Sequence, residues 1–461
     1  MSHAVAAAGP VTAAALSPRT RLLLEGPVAR TLLVLAAPNV LVMVLQAAVS
    51  TLDAVFVGWL GSDALAGVSL VYPLLMLMQT MSAGGMGGGV SSAVARALGA
   101  GRRAEAEALA AHAVLIALGM SVLFTTGLLL GGPAVYRAMG GTGPALEAAL
   151  AYSHVIFGGA VVVWLLNTLS SIVRGTGTMA LPAAVMTASA GVYLVLAPAL
   201  VLGWGPFPRL GVAGTATANL VSFGLSTLVL AGYLASPWSA VRLTFRNLSI
   251  QRAHFWEILR VGAPGSLNTV LTNLTIVLMT GLVGPFGTLA LAGYGMGARL
   301  EYLQIPLVFG MGSALVAMVG TNVGAGQIAR AERIAWTGAG IATGITASIG
   351  LFAAIFPRVW LGLFTSDPHA QAAGVTYLLI VGPFYGFFGL GLALYFASQG
   401  AGRLGWPLTA GFLRLFVAVA GGWLFGYWLG WGLPGIFGAM AVALVVFGVT
   451  IAAAIKWGAW R

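Results

Sequence analysis

Along the chain, stretches of about 18 or more mostly apolar residues alternate with short segments that hold nearly all of the charge. As a helix, each stretch is long enough to cross about 30 Å of hydrocarbon. The runs are continuous rather than alternating residue by residue, which favours helices over a membrane β-barrel. The pattern predicts twelve spans, roughly 31–56, 65–92, 107–130, 148–171, 180–203, 211–235, 258–284, 288–320, 334–356, 372–397, 408–430 and 435–455. The expected fold class is an all-α integral membrane protein.

The spans repeat. An offset of 226 aligns APNVLVMVLQAAVSTLDAVFVGWLG (37–61) with APGSLNTVLTNLTIVLMTGLVGPFG (263–287) without a gap. Further on, ALAG (64–67) falls on ALAG (290–293), LGAG (98–101) on VGAG (323–326), and RGTG (174–177) on QGAG (399–402), with Pro182 over Pro407. LGVAGTA (210–216) then meets PGIFGAM (434–440). The order of matched Pro and Gly landmarks points to an internal duplication of six spans each. Six is even, so both halves begin on the same side of the membrane. Parallel repeats of this kind place a substrate path between the halves and work by rocking one half against the other. The expected organisation is a cytosolic N-terminal tail (1–30), an N-lobe (31–240), a basic connector (241–257) and a C-lobe with a short tail (258–461). The alanine-rich start, with no basic residue ahead of its alanines, is not a signal peptide of the usual kind.

Composition agrees with this class: 59% of the 461 residues are hydrophobic, 7% are charged, and the mean hydropathy is +0.98. Sixty-six glycines suit close approach of helix backbones, and GGMGGGVSS (84–92) reads that way. The net charge of +11 could suggest nucleic acid, but its placement suggests orientation. With the N-terminus inside, sixteen of the 21 basic residues fall in cytosolic segments, three (Arg137, Arg209, Arg358) in outer loops, and Arg299 and Arg414 inside spans. That is the positive-inside asymmetry. A multi-pass inner-membrane protein with both termini cytosolic is expected, with no nucleic-acid partner and a monomeric state.

Of the ten acids, only Asp53 and Glu301 lie within spans. An ionised carboxylate at a helix centre costs about 2.5–3.5 kcal/mol even on lenient scales, so its retention calls for a function or a partner. Asn39, Met43, Gln46, Ser50 and Asp53 step by three or four and share one helix face, a polar stripe that belongs toward a cavity. A carboxylate there can hold a proton or a cation in turn, the minimum chemistry of an exchanger. Glu301 stands about 13 residues into its span; Arg299, two residues away, lies on another face, so pairing with Arg299 or with Arg414 across helices stands beside an ion-binding role. Tyr72, Gln79, Asn167, Asn268, Thr272, Asn273, Tyr302 and Gln304 complete a candidate cavity lining. Met76, Met78 and Met81 fit either a pliable binding surface or ordinary packing.

Pro38 with Asp53 fifteen positions on, VGWLG (57–61), LAG (65–67), LGAG (98–101), RGTG (174–177), PFPRLGVAG (206–214) and GAG (324–326) together resemble the multidrug and toxic compound extrusion (MATE) transporters, in order and over nearly the whole chain. The resemblance implies two six-helix lobes facing a central cavity. It also implies export of organic, usually cationic, compounds against an inward flow of protons or Na⁺, with a first-span aspartate associated with proton coupling. Some family positions differ. Thr272 stands where the sodium-coupled branch has a glutamate, no acid occurs between Tyr377 and Gln399, and Tyr193 and Ala197 replace a fifth-span Asn and Asp. These differences lean toward proton rather than Na⁺ coupling.

Other classes fit less well. Lys456 is the one lysine, which excludes a GxxxxGK[ST] nucleotide loop. The five histidines are scattered and cysteine is absent, so neither a metal site, a cofactor nor an enzyme activity is expected. A channel has little use for duplicated rocking lobes. A flippase for lipid-linked glycans, or an exporter of another amphipathic metabolite, is the nearest alternative; it would need cavity arginines for phosphate, and Arg299 and Arg414 are the candidates.

Overall fold

The computed structural model describes residues 17–246 and 249–460, with the side chains at 302 and 370 outside the description. The expectation for residues 1–16 of the tail therefore lies outside the described residues. The described chain is mainly helical, in twelve spans: α1 (Val28–Gly58), α2 (Ser62–Gly99), α3 (Arg103–Ala138), α4 (Gly143–Gly158 continued by Ala160–Gly175), α5 (Ala180–Leu202), α6 (Val212–Ala235), α7 (Arg252–Phe286), α8 (Thr288–Gly324), α9 (Ile328–Ile355), α10 (Gln371–Ala401), α11 (Gly405–Trp428) and α12 (Gly432–Lys456). The two parts of α4 meet at 48°. The break falls at Gly159, where a Cβ would lie 2.3 Å from the Leu220 side chain of α6, so the bend and the close packing of α6 share one cause. Prolines punctuate α1 (Pro38), α2 (Pro73), α3 (Pro133), α5 (Pro198), α7 (Pro264) and α8 (Pro306), and α2 widens into a π-helical turn over Met81–Met86.

The duplication is visible in the backbone. Gly61, between α1 and α2, has φ 107° and ψ 174°; its counterpart Gly287, between α7 and α8, has φ 102° and ψ 168°. Gly101 and Gly326 match at φ 73° and 75°, and Gly177 and Gly402 at 80° and 74°. L side chains rarely adopt these conformations, so glycine at both members of each pair marks the same turn built twice.

Six helices form each lobe. Oil offers little hydrophobic drive between helices, so the lobes are held by close van der Waals packing across small residues. One core gathers residues of α1–α6, such as Val71, Leu109, Phe157 and Trp164; another gathers the far half of the C-lobe around Tyr377, Tyr385, Ile436 and Phe437. A third crosses the boundary: Leu23, Leu32 and Ala36 pack with Val308, Leu315, Val319 and Ile334 of the C-lobe. The chain ahead of α1 takes part. A short helix, Pro18–Glu25, capped by Ser17, lies along α8, where Asn322 Nδ2 donates to the Leu23 carbonyl at 3.0 Å.

Cross-lobe packing is concentrated toward one end of the bundle, the end that holds the ends of α2, α8 and α10 and the start of α7. There a Cβ on Gly99 would stand 2.0 Å from the Thr321 carbonyl, and one on Gly324 2.0 Å from the Arg96 carbonyl. Arg96 Nη2 reaches Glu257 on α7 at 2.8 Å and Arg96 Nη1 the Gly400 carbonyl on α10 at 3.2 Å. The first half of α2 makes little contact with the C-lobe. The lobes thus close at the arginine-rich end and part toward the end that carries Asp53. Arg96 and Arg174, which the charge pattern alone assigns to connecting segments, stand inside the last turns of their helices.

Candidate transport site

Asp53 sits near the open end of α1 and turns into the N-lobe. Its Oδ1 accepts a hydrogen bond from the Tyr193 hydroxyl of α5, and Phe56, Ala197, Leu200 and Ala218 form an apolar cluster beside the pair. The carboxyl is half-buried, and among the described residues no basic side chain pairs with it. Tyr193, which the sequence presents only as a departure from the family pattern, is therefore the residue that holds the acid. A phenol supplies one strong donor and no charge, so the carboxylate is solvated but not neutralised.

The polar stripe of α1 runs from the lobe junction toward Asp53. Asn39 is buried and its Nδ2 donates to Ser313 of α8 at 2.7 Å, across the lobes. Gln46 is half-buried, and Ser50, exposed, shares a 3.3 Å hydrogen bond with Tyr72 of α2. One side of α1 thus passes from a dry contact into the open cleft. Asn167 on α4 donates to Gln79 Oε1 at 3.2 Å and to Ser82 Oγ at 2.8 Å, a buried network beside the π-helical turn of α2. Met78 is fully buried in the N-lobe core, with Met76 and Met81 packed against it, so these methionines serve packing.

The C-lobe is arranged differently. Glu301 on α8 is buried, its Oε1 3.1 Å from Arg414 Nη2 on α11. Its Oε2 accepts from Tyr377 at 3.3 Å, and Tyr385 donates to Tyr377 at 3.3 Å. The Arg414 guanidinium lies between the rings of Phe388 and Phe447, at 5.4 and 5.5 Å. Arg299 faces elsewhere, over the Phe364 ring at 5.4 Å. Both arginines that a phosphate-binding cavity would require are therefore engaged inside their own lobe.

The remaining C-lobe residues do not converge on one point. Thr272 and Asn273 bond back to the carbonyls of Asn268 and Thr269 on their own helix, at 3.0 and 2.9 Å, and Gln304 Nε2 to Leu300 at 3.3 Å. Asn268 packs on Gly411 of α11, where a Cβ would meet its Oδ1 at 2.6 Å. Asn273 is exposed, two turns beyond Ser266, which touches Gly85 of the N-lobe; it therefore continues the same face of α7 into the cleft. The Tyr302 side chain lies outside the described residues.

Two lobes built on one plan, a junction closed at one end and a polar cleft at the other are the parts of an alternating-access carrier, and the comparisons agree. The MatE family model matches the chain twice, over residues 38–199 and 264–424, once in each repeat. The chain belongs to the MATE family. Members of this family are transporters, and the chain is accordingly a multi-pass membrane exporter of small organic substrates. Among relatives, a FAD transporter of Shewanella oneidensis is 28% identical over 379 residues, 82% of each chain. A probable multidrug resistance protein NorM of Deinococcus radiodurans is 27% identical over 452 residues, 92% of this chain and 94% of that one. Among solved structures, the outward-facing conformation of a multidrug resistance MATE transporter of the MOP superfamily is similar with a TM-score of 0.85, at 26% identity, over 96% of this chain and 99% of that one.

Proposed function

We propose that this MATE protein is a secondary active antiporter that exports organic cations in exchange for protons, with Asp53 as the coupling group. The single observation that carries the reading is the Asp53–Tyr193 pair: an acid inside the N-lobe, bonded to a neutral phenol, with no cationic partner among the described residues. Such a carboxylate gains by binding either a proton or a cation, and the two exclude each other. A proton arriving from the open end displaces an organic cation held near Asp53. Closure there and opening at the arginine-rich end then deliver the proton inside. Na⁺ coupling is the alternative, and the single acid with one phenol offers few of the oxygen ligands a hard cation prefers.

The arginine-rich end is assigned to the cytosol, with both termini there and the protein in the inner membrane as a monomer. Gln46, Ser50, Tyr72 and Asn273 line the substrate path, Asn39 closes its inner end by its bond to Ser313, and Gln79 and Asn167 brace the π-helical turn behind it. Glu301 takes part in coupling only when its pair with Arg414 opens. Transport of ethidium and related dyes in proteoliposomes, under imposed pH or Na⁺ gradients, tests the assignment. A pH gradient alone should drive uptake, and a response only to Na⁺ would replace the proton in this scheme. A second reading, export of an amphipathic metabolite that carries phosphate, is supported by the similarity to the Shewanella FAD transporter and by Arg174 at the lobe junction, which makes no ion pair among the described residues.

A further inference from the structure

We propose that Arg174 forms an anion-accepting subsite at the lobe junction, taking the carboxylate or phosphate of substrates that carry one; this deepens the efflux reading and rests on it. Arg174 stands in the last turn of α4, and its counterpart in the second repeat is Gln399, near the end of α10. Both line one cavity between the lobes, with Ser91 on the N-lobe side and Phe309, Ser313 and Phe396 on the C-lobe side. The cavity is small in this closed arrangement, with room for a polar group beside the guanidinium rather than for a whole drug molecule.

The two counterparts differ in what they hold. Gln399, fully buried, sends its amide across to α2, where Nε2 donates to the Gly84 carbonyl at 3.0 Å. Glycine is required opposite, since a Cβ on Gly88 would lie 2.2 Å from that amide. Arg174 reaches no such acceptor: among the described residues it makes no ion pair, and its Nε is buried without a partner. Ser91 Oγ and Gln399 Oε1, in the same lining, are likewise buried and unpartnered.

A guanidinium partly withdrawn from water, with its Nε buried, gains from an acceptor, and its planar fork matches an oxyanion in two-pronged fashion. The other deeply placed arginines are matched, Arg96 by Glu257 and Arg414 by Glu301. The Arg174 donors, the Ser91 hydroxyl and two flanking aromatic rings suit an acidic group carried on a flat apolar body. Since Asp53 lies toward the other end of the cleft, a zwitterion meets opposite charges at two depths on its way out.

The test uses rhodamine B, with its free carboxylate, and rhodamine B ethyl ester, which share one cationic ring system. Binding to the purified full-length protein is read by fluorescence polarisation. Relative to wild type, Arg174→Gln should shift the affinity ratio about tenfold toward the ester, and Arg174→Lys by a smaller factor. Both variants are checked for monodisperse elution, and the lysine variant alone decides if the glutamine variant does not fold. An unchanged ratio with both dyes bound overturns the Arg174 subsite and leaves the efflux reading standing. If wild type binds neither dye, both fall.

Discussion

Asp53 in the N-lobe and Glu301 in the C-lobe are both acids that lie within membrane spans, yet their surroundings differ in charge. Asp53 meets the hydroxyl of Tyr193; Glu301 meets the guanidinium of Arg414, with Tyr377 closing its other oxygen. The first site carries net negative charge unless something binds it. The second is neutral as it stands, and the Phe388 and Phe447 rings shelter its cation. The repeat sharpens the contrast, for the offset that aligns the first spans puts the fully buried Met279 at the position of Asp53. Duplication gave two lobes of one shape, and divergence left only the first with an uncompensated acid on the first helix. On the proposed scheme the N-lobe carries the coupling acid, and the C-lobe supplies the opposing wall against which it moves.

The sharpest way to break the comparison is Asp53→Asn. It should reduce proton-driven dye extrusion to background, while membrane insertion and the yield of folded protein stay normal. Vesicles carrying that variant and still extruding ethidium at the wild-type rate would remove the N-lobe from the coupling role. The next effect is on stability rather than exchange. Arg414→Ala strips the buried Glu301 of its counter-ion and should destabilise the C-lobe by about 3–5 kcal/mol, read as a lower unfolding temperature in detergent. Replacing both members at once, Glu301→Gln with Arg414→Met, should recover most of that loss. A double variant as unstable as the single would mean that the pair does more than balance charge. Glu301→Gln by itself should change affinity among a panel of cations by a few-fold; unchanged transport of every one makes the acid purely structural.

Much of this was legible in the chain, for reasons that differ between its parts. Span number and the repeat follow from hydropathy and from Gly and Pro landmarks, because bilayer thickness and tight turns act locally; Gly61 and Gly287 share a conformation that an L residue rarely adopts. Partners across helices are not local. Whether Glu301 takes Arg299 or Arg414 depends on which face of α8 meets α11, and periodicity leaves that open. Tyr193 was masked by its own chemistry: at a position where the family carries asparagine, a tyrosine reads as a lost ligand, although its hydroxyl offers the same donor. Arg174 was hidden by position, since an arginine in RGTG beside a turn looks like one more charge setting orientation. The useful signal was the repeat itself, which pairs Arg174 with Gln399 and so with the lobe junction.

Tyr193→Phe tests the neutral half of the comparison at smaller amplitude. It keeps the ring in its apolar cluster and removes the side-chain donor to Asp53 found among the described residues. A hydrogen bond to a charged group is worth about 1.5–3 kcal/mol, so proton-coupled exchange should slow by roughly tenfold or more. Equilibrium binding of an apolar cation should change less than the rate, because Asp53 still supplies its charge. Equal loss of binding and rate would show that the phenol shapes the pocket rather than holding the acid.

The smallest effect belongs to a third acid, which bridges the lobes instead of sitting within one. Glu257 accepts from Arg96 of α2 at 2.8 Å and from Arg260 of its own helix at 2.6 Å, and about a quarter of its side chain is exposed (28%). Unlike Asp53 it is paired, and unlike Glu301 its principal partner belongs to the other lobe. The contact exists only while the arginine-rich end is closed, so its energy biases the two conformations without touching the cleft. Glu257→Gln keeps a hydrogen bond to Arg96 but loses its charge, and Ser92 and the Gly400 carbonyl still hold that guanidinium. Partly exposed pairs contribute about 0.2–1 kcal/mol, which moves the ratio of the two conformations by a factor of about 1.4 to 5. Labelling of a single cysteine placed at Ser91 should accelerate by that factor in the variant. An unchanged rate would mean that the close glycine contacts at Gly99 and Gly324, rather than the ion pair, set how long this end stays shut.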